Sequence, residues 1–314
     1  MVRLAGFADF NPEEEIPSLE GKVIFVTGGT AGLGKQSIQA LAKHDPHHIY
    51  FTGRSRKSAG SVISDIKQAT PSASITFLEM DFTSLASVKA GVSKFNHDRL
   101  DILICNAGVM AVPAAVSKDG FEVHFAINHL AHAMIIRELL PVLVRTTEIP
   151  GSDVRVVSLT SEGWKGHPSG GVRYDKVRTD TGGFASWLFR YGQSKFANVI
   201  YAAEIARRYP KITSVSVHPG VVKTDLVNSL GWANKALVYV SNYFMGVTLV
   251  EPEQGRLSQL WVAAGAEKSQ LVNGGLYYPV GVLKDDEKDK DALSEDGAKK
   301  FWEWTAEVLD SVKT

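Results

Sequence analysis

Apolar, β-branched runs alternate with amphipathic stretches along most of this chain. "KVIFVTGG" (22–29), "HIYFTGR" (48–54), "SITFLEMD" (74–81), "LDILICNAG" (100–108), "DVRVVSLTS" (153–161), "TSVSVHPG" (213–220) and "GLYYPVG" (275–281) read as strands. Helical patterns lie between them, over 32–44, 57–69, 84–97 and 118–145, through Tyr191 to 209, and over 252–265. Strands that are apolar throughout need cover on both faces, which predicts a parallel sheet with helices on each side. Right-handed crossovers make this an α/β, doubly wound sheet of about seven strands. Ligands in such sheets bind beyond the C-terminal strand ends.

The first strand end carries "TGGTAGLGK" (27–35), which opens the first helix. Gly28, Gly32 and Gly34 let the backbone approach a phosphate without a Cβ clash, with Thr30 and Leu33 between them. The helix N-terminus offers unpaired N–H groups and a positive dipole end. The second strand ends in "TGRSR", with Arg54 and no acid. An acid there would hold the ribose hydroxyls of NAD, whereas Arg54 suits a 2′-phosphate, so NADP(H) is the expected cofactor over NAD(H). "CNAG" ends the fourth strand, and Asn106, Ala107 and Gly108 are placed along the adenosine ribose.

The candidates for chemistry come later in the chain. Tyr191 and Lys195, in "YGQSK", are four residues apart and share a helical face. A free phenol titrates near 10, too high for acid/base work near neutrality, and a neighbouring ammonium favours the phenolate. Ser161 ends the fifth strand, with Ser158 and Thr160 as rival hydroxyls. Asn128 sits inside an apolar helix, where a buried amide needs partners; the expectation is that it holds water for a proton path.

Composition narrows the partners. The 314 residues are 44% hydrophobic, with 34 basic and 34 acidic side chains, so nothing steers the chain to nucleic acid. The sole cysteine, Cys105, excludes an intramolecular disulfide and fits the reducing cytoplasm. The N-terminus does not read as a signal peptide. The longest uncharged run, 236–250, falls short of the ~20 residues a bilayer span needs, and reads as an apolar flap over a pocket rather than an integral membrane segment. Its aromatics, with Trp164, Phe184, Trp187 and Phe189, suggest walls for an apolar, aromatic or polycyclic carbonyl or alcohol. The stretch 284–300 reads as solvated surface. The histidines at 44, 47 and 48 lie in a loop away from the site, and no metal is expected.

TGxxxGxG, NAG, a helix Asn, a strand-end Ser and YxxxK, in this order from Gly21 to Gly281, resemble the short-chain dehydrogenase/reductase family. "DGFEVHFAINHLAH", "YGQSKFANVIYAAEIARR" and "HPGVVKTDL" resemble its retinol-dehydrogenase-like and protochlorophyllide-reductase-like branch, fungal members included. The resemblance implies a Rossmann fold over 21–283, flanked by extensions at 1–20 and 284–314, with a flap at about 225–250. It implies a catalytic tetrad of Asn128, Ser161, Tyr191 and Lys195. It places Pro219, Gly220, Val222 and Thr224 around the nicotinamide and pyrophosphate, and Asp81 and Phe82 beside the adenine. Many such relatives pair as homodimers along the helices at 118–145 and 192–209, a seam that the inserted and C-terminal segments are able to cover. Two other functions stay open at this point: a non-catalytic NADP-binding redox regulator, and an epimerase or dehydratase on the same scaffold.

Overall fold

A computed structural model describes residues 9–179, 186–222 and 249–312. The strands β1 (Val23–Val26), β2 (His48–Gly53), β3 (Ile75–Glu79), β4 (Ile102–Cys105), β5 (Val154–Leu159) and β6 (Ile212–Val217) form where the apolar runs predict them. A two-residue pair follows, β7 (Val221–Val222) with β8 (Leu249–Val250). The chain then returns to the main sheet with β9 (Leu276–Tyr278) and β10 (Val282–Leu283). The sheet order is β10-β9-β6-β5-β4-β1-β2-β3, parallel throughout except for β10 against β9. Seven parallel strands thus match the expected number, and the antiparallel edge strand adds an eighth.

Strand β1 shows why the runs are apolar throughout. Val23 and Phe25 point into the core on one face, Ile24 and Val26 into the core on the other. Helices α2 (Gly32–Leu41) and α3 (Arg56–Ala69) contribute buried residues to the second face. The first face is covered by α4 (Leu85–Val92), α5 (Val123–Thr147) and α6 (Ser186–Arg208). Ser55 and Ser84 cap α3 and α4 by accepting the Ser58 and Ser87 N–H groups. The α4 pattern ends earlier than 97 because the chain turns at Ser93.

Helix α5 is interrupted by a π-turn over Ala126–Leu130, centred on Asn128. By length and hydropathy it is the one described helix able to cross a membrane, but most of its apolar surface is buried in the core. Before β1, a short helix, α1 (Pro12–Glu15), is flanked by Phe10, Ile16 and Leu19, which are buried in the second core. After β8 comes α7 (Pro252–Leu260).

The stretch 284–300 is exposed or half-buried except at Ala292 and Ala298. Its end opens α8 (Glu295–Asp310), capped by Ser294, which buries Phe301. Trp302 stacks on Tyr201 of α6, Trp304 meets Phe125, and Arg137 of α5 pairs with Asp310 at 2.6 Å. The charges signal exposure, yet the apolar period that begins at Ala298 docks the segment against α5 and α6.

Candidate active site

The crevice opens where β1 has β2 on one side and β4 on the other. Thr27, just past β1, organises it. Its hydroxyl oxygen accepts the Asn106 and Ala107 N–H groups at 2.8 and 2.9 Å, and the Asn106 amide donates to the Thr27 carbonyl at 2.8 Å. The Thr27 hydroxyl also meets His132 Nε2 at 2.9 Å, and His132 Nδ1 donates to the Asn128 carbonyl at 2.9 Å. One buried chain of bonds therefore joins the glycine turn, the NAG turn and α5.

Gly28 and Gly32 take positive φ, 68° and 53°, which glycine alone adopts without strain. At Gly34 the need is space. A Cβ there would overlap the Gly28 carbonyl and sit 2.6 Å from Asn106 Nδ2. The residue ahead of α2, Ala31, supplies no side-chain cap, so the first-turn N–H groups are open to an anion. Gly34→Ala is expected to weaken nicotinamide-cofactor binding by about tenfold or more and to lower the melting temperature, because the turn and the NAG loop must separate. Cofactor fluorescence titration and a thermal melt check it; unchanged affinity would mean that this turn holds no phosphate.

Thr30 packs against Gly53, and Leu33 lies beside Gly255 with Val222. Val222 is buried, behind Pro219 and Gly220, the latter at φ 88°. Thr224 and the flap as far as residue 248 lie outside the described residues, and the last two flap positions form β8. A cavity of about 420 Å³ opens beside Arg54, Met80, Asp81, Ser87 and Lys94. Arg54 is exposed there and forms no ion pair among the described residues, whereas Arg56 is held by Glu79 at 2.6 Å. Partial burial acts to raise the Asp81 carboxyl, but bonds from Lys118 and Thr83 outweigh it and hold the group at about 2. Phe82 is buried edge-on to His132.

The reacting end assembles from β5, α5 and α6. Ser161 follows β5, its hydroxyl lies with the Tyr191 ring beside Gly163, and it accepts the Gly163 N–H at 3.2 Å. Its rivals are placed otherwise: Thr160 donates to the Lys195 carbonyl at 2.9 Å, and Ser158 is buried in the strand. Lys195 Nζ lies 5.8 Å from the Tyr191 ring centre and donates to the Leu159 carbonyl at 3.0 Å. Gly108 borders both Lys195 Nζ and Asn128 Oδ1.

Each letter of YGQSK has work here. Gly192 admits the 3₁₀ turn Glu162–Gly166, since a Cβ would press on the Gly163 carbonyl at 2.8 Å. Gln193 accepts the Arg173 N–H, tying down the insert. Ser194 accepts from Asn128 Nδ2 at 2.9 Å and donates to the Tyr191 carbonyl.

Burial pushes the Tyr191 phenol up to about 12, against a smaller lowering by Ser161, and pulls the Lys195 ammonium down to about 8. In the cofactor-free chain desolvation therefore outweighs the help that spacing alone suggested Lys195 would give Tyr191. The Asn128 amide accepts the Val109 N–H and donates to the Val109 carbonyl and to Ser194 Oγ. Its backbone carbonyl takes His132 and Asn198. Asn128 thus braces α5 to α6 and to the loop after β4.

Of the expected aromatic walls, the described ones divide between core and surface. Trp164 is buried, donating to the Tyr278 hydroxyl at 3.3 Å, and Trp187 is buried too. Phe189 is exposed. Phe184, Trp232, Tyr239, Tyr243, Phe244 and Met245 lie outside the described residues. Thr27, His132, Ser194 and Asn198 were missed in the sequence reading. His132 had a signal, its i+4 spacing from Asn128, but the carbonyl it serves is invisible in sequence.

Residues 22–170 match a family model described as short chain dehydrogenase. The chain is 33% identical over 308 residues to "Short-chain dehydrogenase/reductase drtF" of Aspergillus calidoustus, covering 94% of this chain and 95% of that one. It is 33% identical over 213 residues to "Retinol dehydrogenase 12" of Bos taurus, covering 67% of this chain and 64% of the relative. Among solved structures, the NADPH-bound carbonyl reductase from chicken fatty liver superposes with a TM-score of 0.62 at 20% identity. That superposition covers 87% of this chain and 97% of the other, a likeness of fold.

Proposed function

The chain belongs to the short-chain dehydrogenase/reductase family, on its retinol-dehydrogenase-like branch, and on that footing we propose NADP(H) as its cofactor, an apolar carbonyl or secondary alcohol as its substrate and Tyr191 as its acid/base. The protein is an oxidoreductase acting on alcohol or carbonyl groups. The observation that carries the finer reading is the convergence of the Ser161 hydroxyl, the Tyr191 phenol and the Lys195 ammonium beside Gly108, at the C-terminal edge of the sheet.

The cofactor fits the residues present. The Gly34 cradle and the open α2 N-terminus would hold the pyrophosphate, and Arg54 the 2′-phosphate. Asp81 and Phe82 would flank the adenine; Asn106, Ala107 and Gly108 the ribose; Pro219, Gly220, Val222 and Thr224 the nicotinamide side. When bound, NADP(H) supplies the hydride. Tyr191 gives its proton to the oxygen of the reduced carbonyl, or takes one from an alcohol. Ser161 donates to the same oxygen and steadies its charge. Lys195 keeps its proton by bonding ribose hydroxyls, and its charge lowers the phenol. Asn128 holds the two helices in register for this.

Residues 1–20 and 284–314 are extensions of one domain. The setting is cytoplasmic, and the partner is a small molecule of the kind handled in secondary metabolism. Arg54→Ala is expected to weaken NADPH binding by about tenfold or more and to leave NADH binding within about twofold, because one charge-assisted contact to a phosphate is lost. Parallel fluorescence titrations test it, and equal losses for both cofactors would remove Arg54 from the 2′-phosphate.

A further inference from the structure

His132 is a buried imidazole whose two nitrogens bond to two different ends of the site. Nδ1 stands 2.9 Å from the Asn128 carbonyl, which can only accept, so the proton sits on Nδ1. Burial pulls the ring down to about 4, so it is neutral near neutral pH and Nε2 carries a lone pair. The Thr27 hydroxyl, 2.9 Å from Nε2, is therefore the donor of that bond. Its oxygen meanwhile accepts the Asn106 and Ala107 N–H groups. The Ile104 carbonyl, at 3.4 Å, is a poorer acceptor for the same hydrogen.

These bonds run in one direction, from the cofactor turns to the catalytic helices. At the first end, Thr27 holds the NAG loop, whose Asn106 amide donates to the Thr27 carbonyl at 2.8 Å and lies against Gly34. At the second, the Asn128 carbonyl lies inside the π-turn of α5 and accepts Asn198 Nδ2 at 3.1 Å besides His132. Asn198 Nδ2 also donates to the Leu159 carbonyl at 2.9 Å, and the same carbonyl takes Lys195 Nζ at 3.0 Å. Phe82 packs edge-on against the imidazole, centroids 5.4 Å apart. Thr27, His132, Asn128, Asn198 and Lys195 are all buried, and a bond lost among them leaves a donor or acceptor unpaired away from water.

We propose that His132 is a positioning residue that couples the two ends of the site: through Thr27 it sets the turns that receive the cofactor, and through the Asn128 carbonyl it sets the turn that holds Asn128 against α6. The inference rests on the reading of a nicotinamide cofactor at the glycine turn and of Asn128 and Lys195 beside the reacting atoms. The two ring nitrogens then do different work. Loss of the Nε2 bond frees the Thr27 hydroxyl and weakens cofactor binding. Loss of the Nδ1 bond leaves the cofactor turns in place and slows the reaction.

Two amides separate the nitrogens, since asparagine places an N–H near Nδ1 and glutamine places its amide near Nε2. His132→Gln is expected to keep NADPH affinity within about twofold, and to lower turnover of phenanthrenequinone, a flat apolar diketone probe, about tenfold or more at saturating NADPH. His132→Asn is expected to weaken NADPH binding about tenfold, and to lose less turnover at saturation than His132→Gln does. Fluorescence titration with NADPH needs no substrate, so the affinity comparison decides on its own. Folded variants that bind NADPH equally well, or with His132→Gln the weaker, overturn the proposal and leave His132 a core residue. If either variant does not fold, imidazole nitrogen NMR of the wild type carries the test. A neutral His132 with its proton on Nδ1, and an Nε2 signal that moves when NADPH is added, are the expected result. A proton on Nε2, or a signal that ignores the cofactor, overturns the proposal. A wild type that does not bind NADPH at all would instead sink the cofactor reading, a separate failure.

Discussion

Tyr191→Phe is expected to lower turnover roughly a thousandfold while NADPH affinity stays within about twofold. The ring is buried, and its faces meet Gly163 and His124, contacts that phenylalanine keeps. Only the hydroxyl is lost, and with it the proton that the reduced oxygen requires. Steady-state rates with an apolar ketone panel, beside a cofactor titration, separate the two quantities. Equal losses in rate and in cofactor affinity would show that the ring is a binding wall and not an acid.

Lys195→Met is expected to damage both. Lys195 is buried and its ammonium is pulled down to about 8, so it is poised near the loss of its proton. Methionine fills the space but supplies neither charge to Tyr191 nor a donor for ribose. A rate loss of about a thousandfold together with weaker cofactor binding, by about tenfold, is expected, a different signature from Tyr191→Phe. Cofactor-free stability gives an independent check. The folded pKa of Lys195 lies below its ordinary 10.5, so the unfolded chain binds more protons between pH 8 and 10.5. The contribution of Lys195 to stability is therefore full above that window and is lost as pH falls toward 8. Tyr191, pushed up to about 12, acts in the opposite sense only above its ordinary value of 10. Denaturant unfolding across this range should show wild type gaining on Lys195→Met as pH rises. Parallel curves would mean that Lys195 titrates as it does in water.

The sheet was legible because its strands are buried on both faces, and Val23 to Val26 could be read from apolar run length alone. So were the glycine turn and the Tyr191–Lys195 pair, whose spacings are local. What depends on distant partners was not. The protein partners of the Asn128 amide lie 19 and 66 residues away in sequence. Trp164 looked like a pocket wall, and its partner Tyr278 lies 114 residues away. The docking of α8 was hidden because its first turn is charged, and its aromatic stripe begins only at Phe301.

The central claim is that Tyr191 is the acid/base of an NADP(H)-dependent site, and tyrosinate absorbance in wild type and Tyr191→Phe, with and without NADP⁺, tests it most directly. One phenol that titrates high in the free protein and drops below about 9 in the complex, and is absent from the variant, is the predicted result. A Tyr191 that stays near 12 with NADP⁺ bound would contradict the account, because such a phenol could not exchange a proton with substrate near neutral pH.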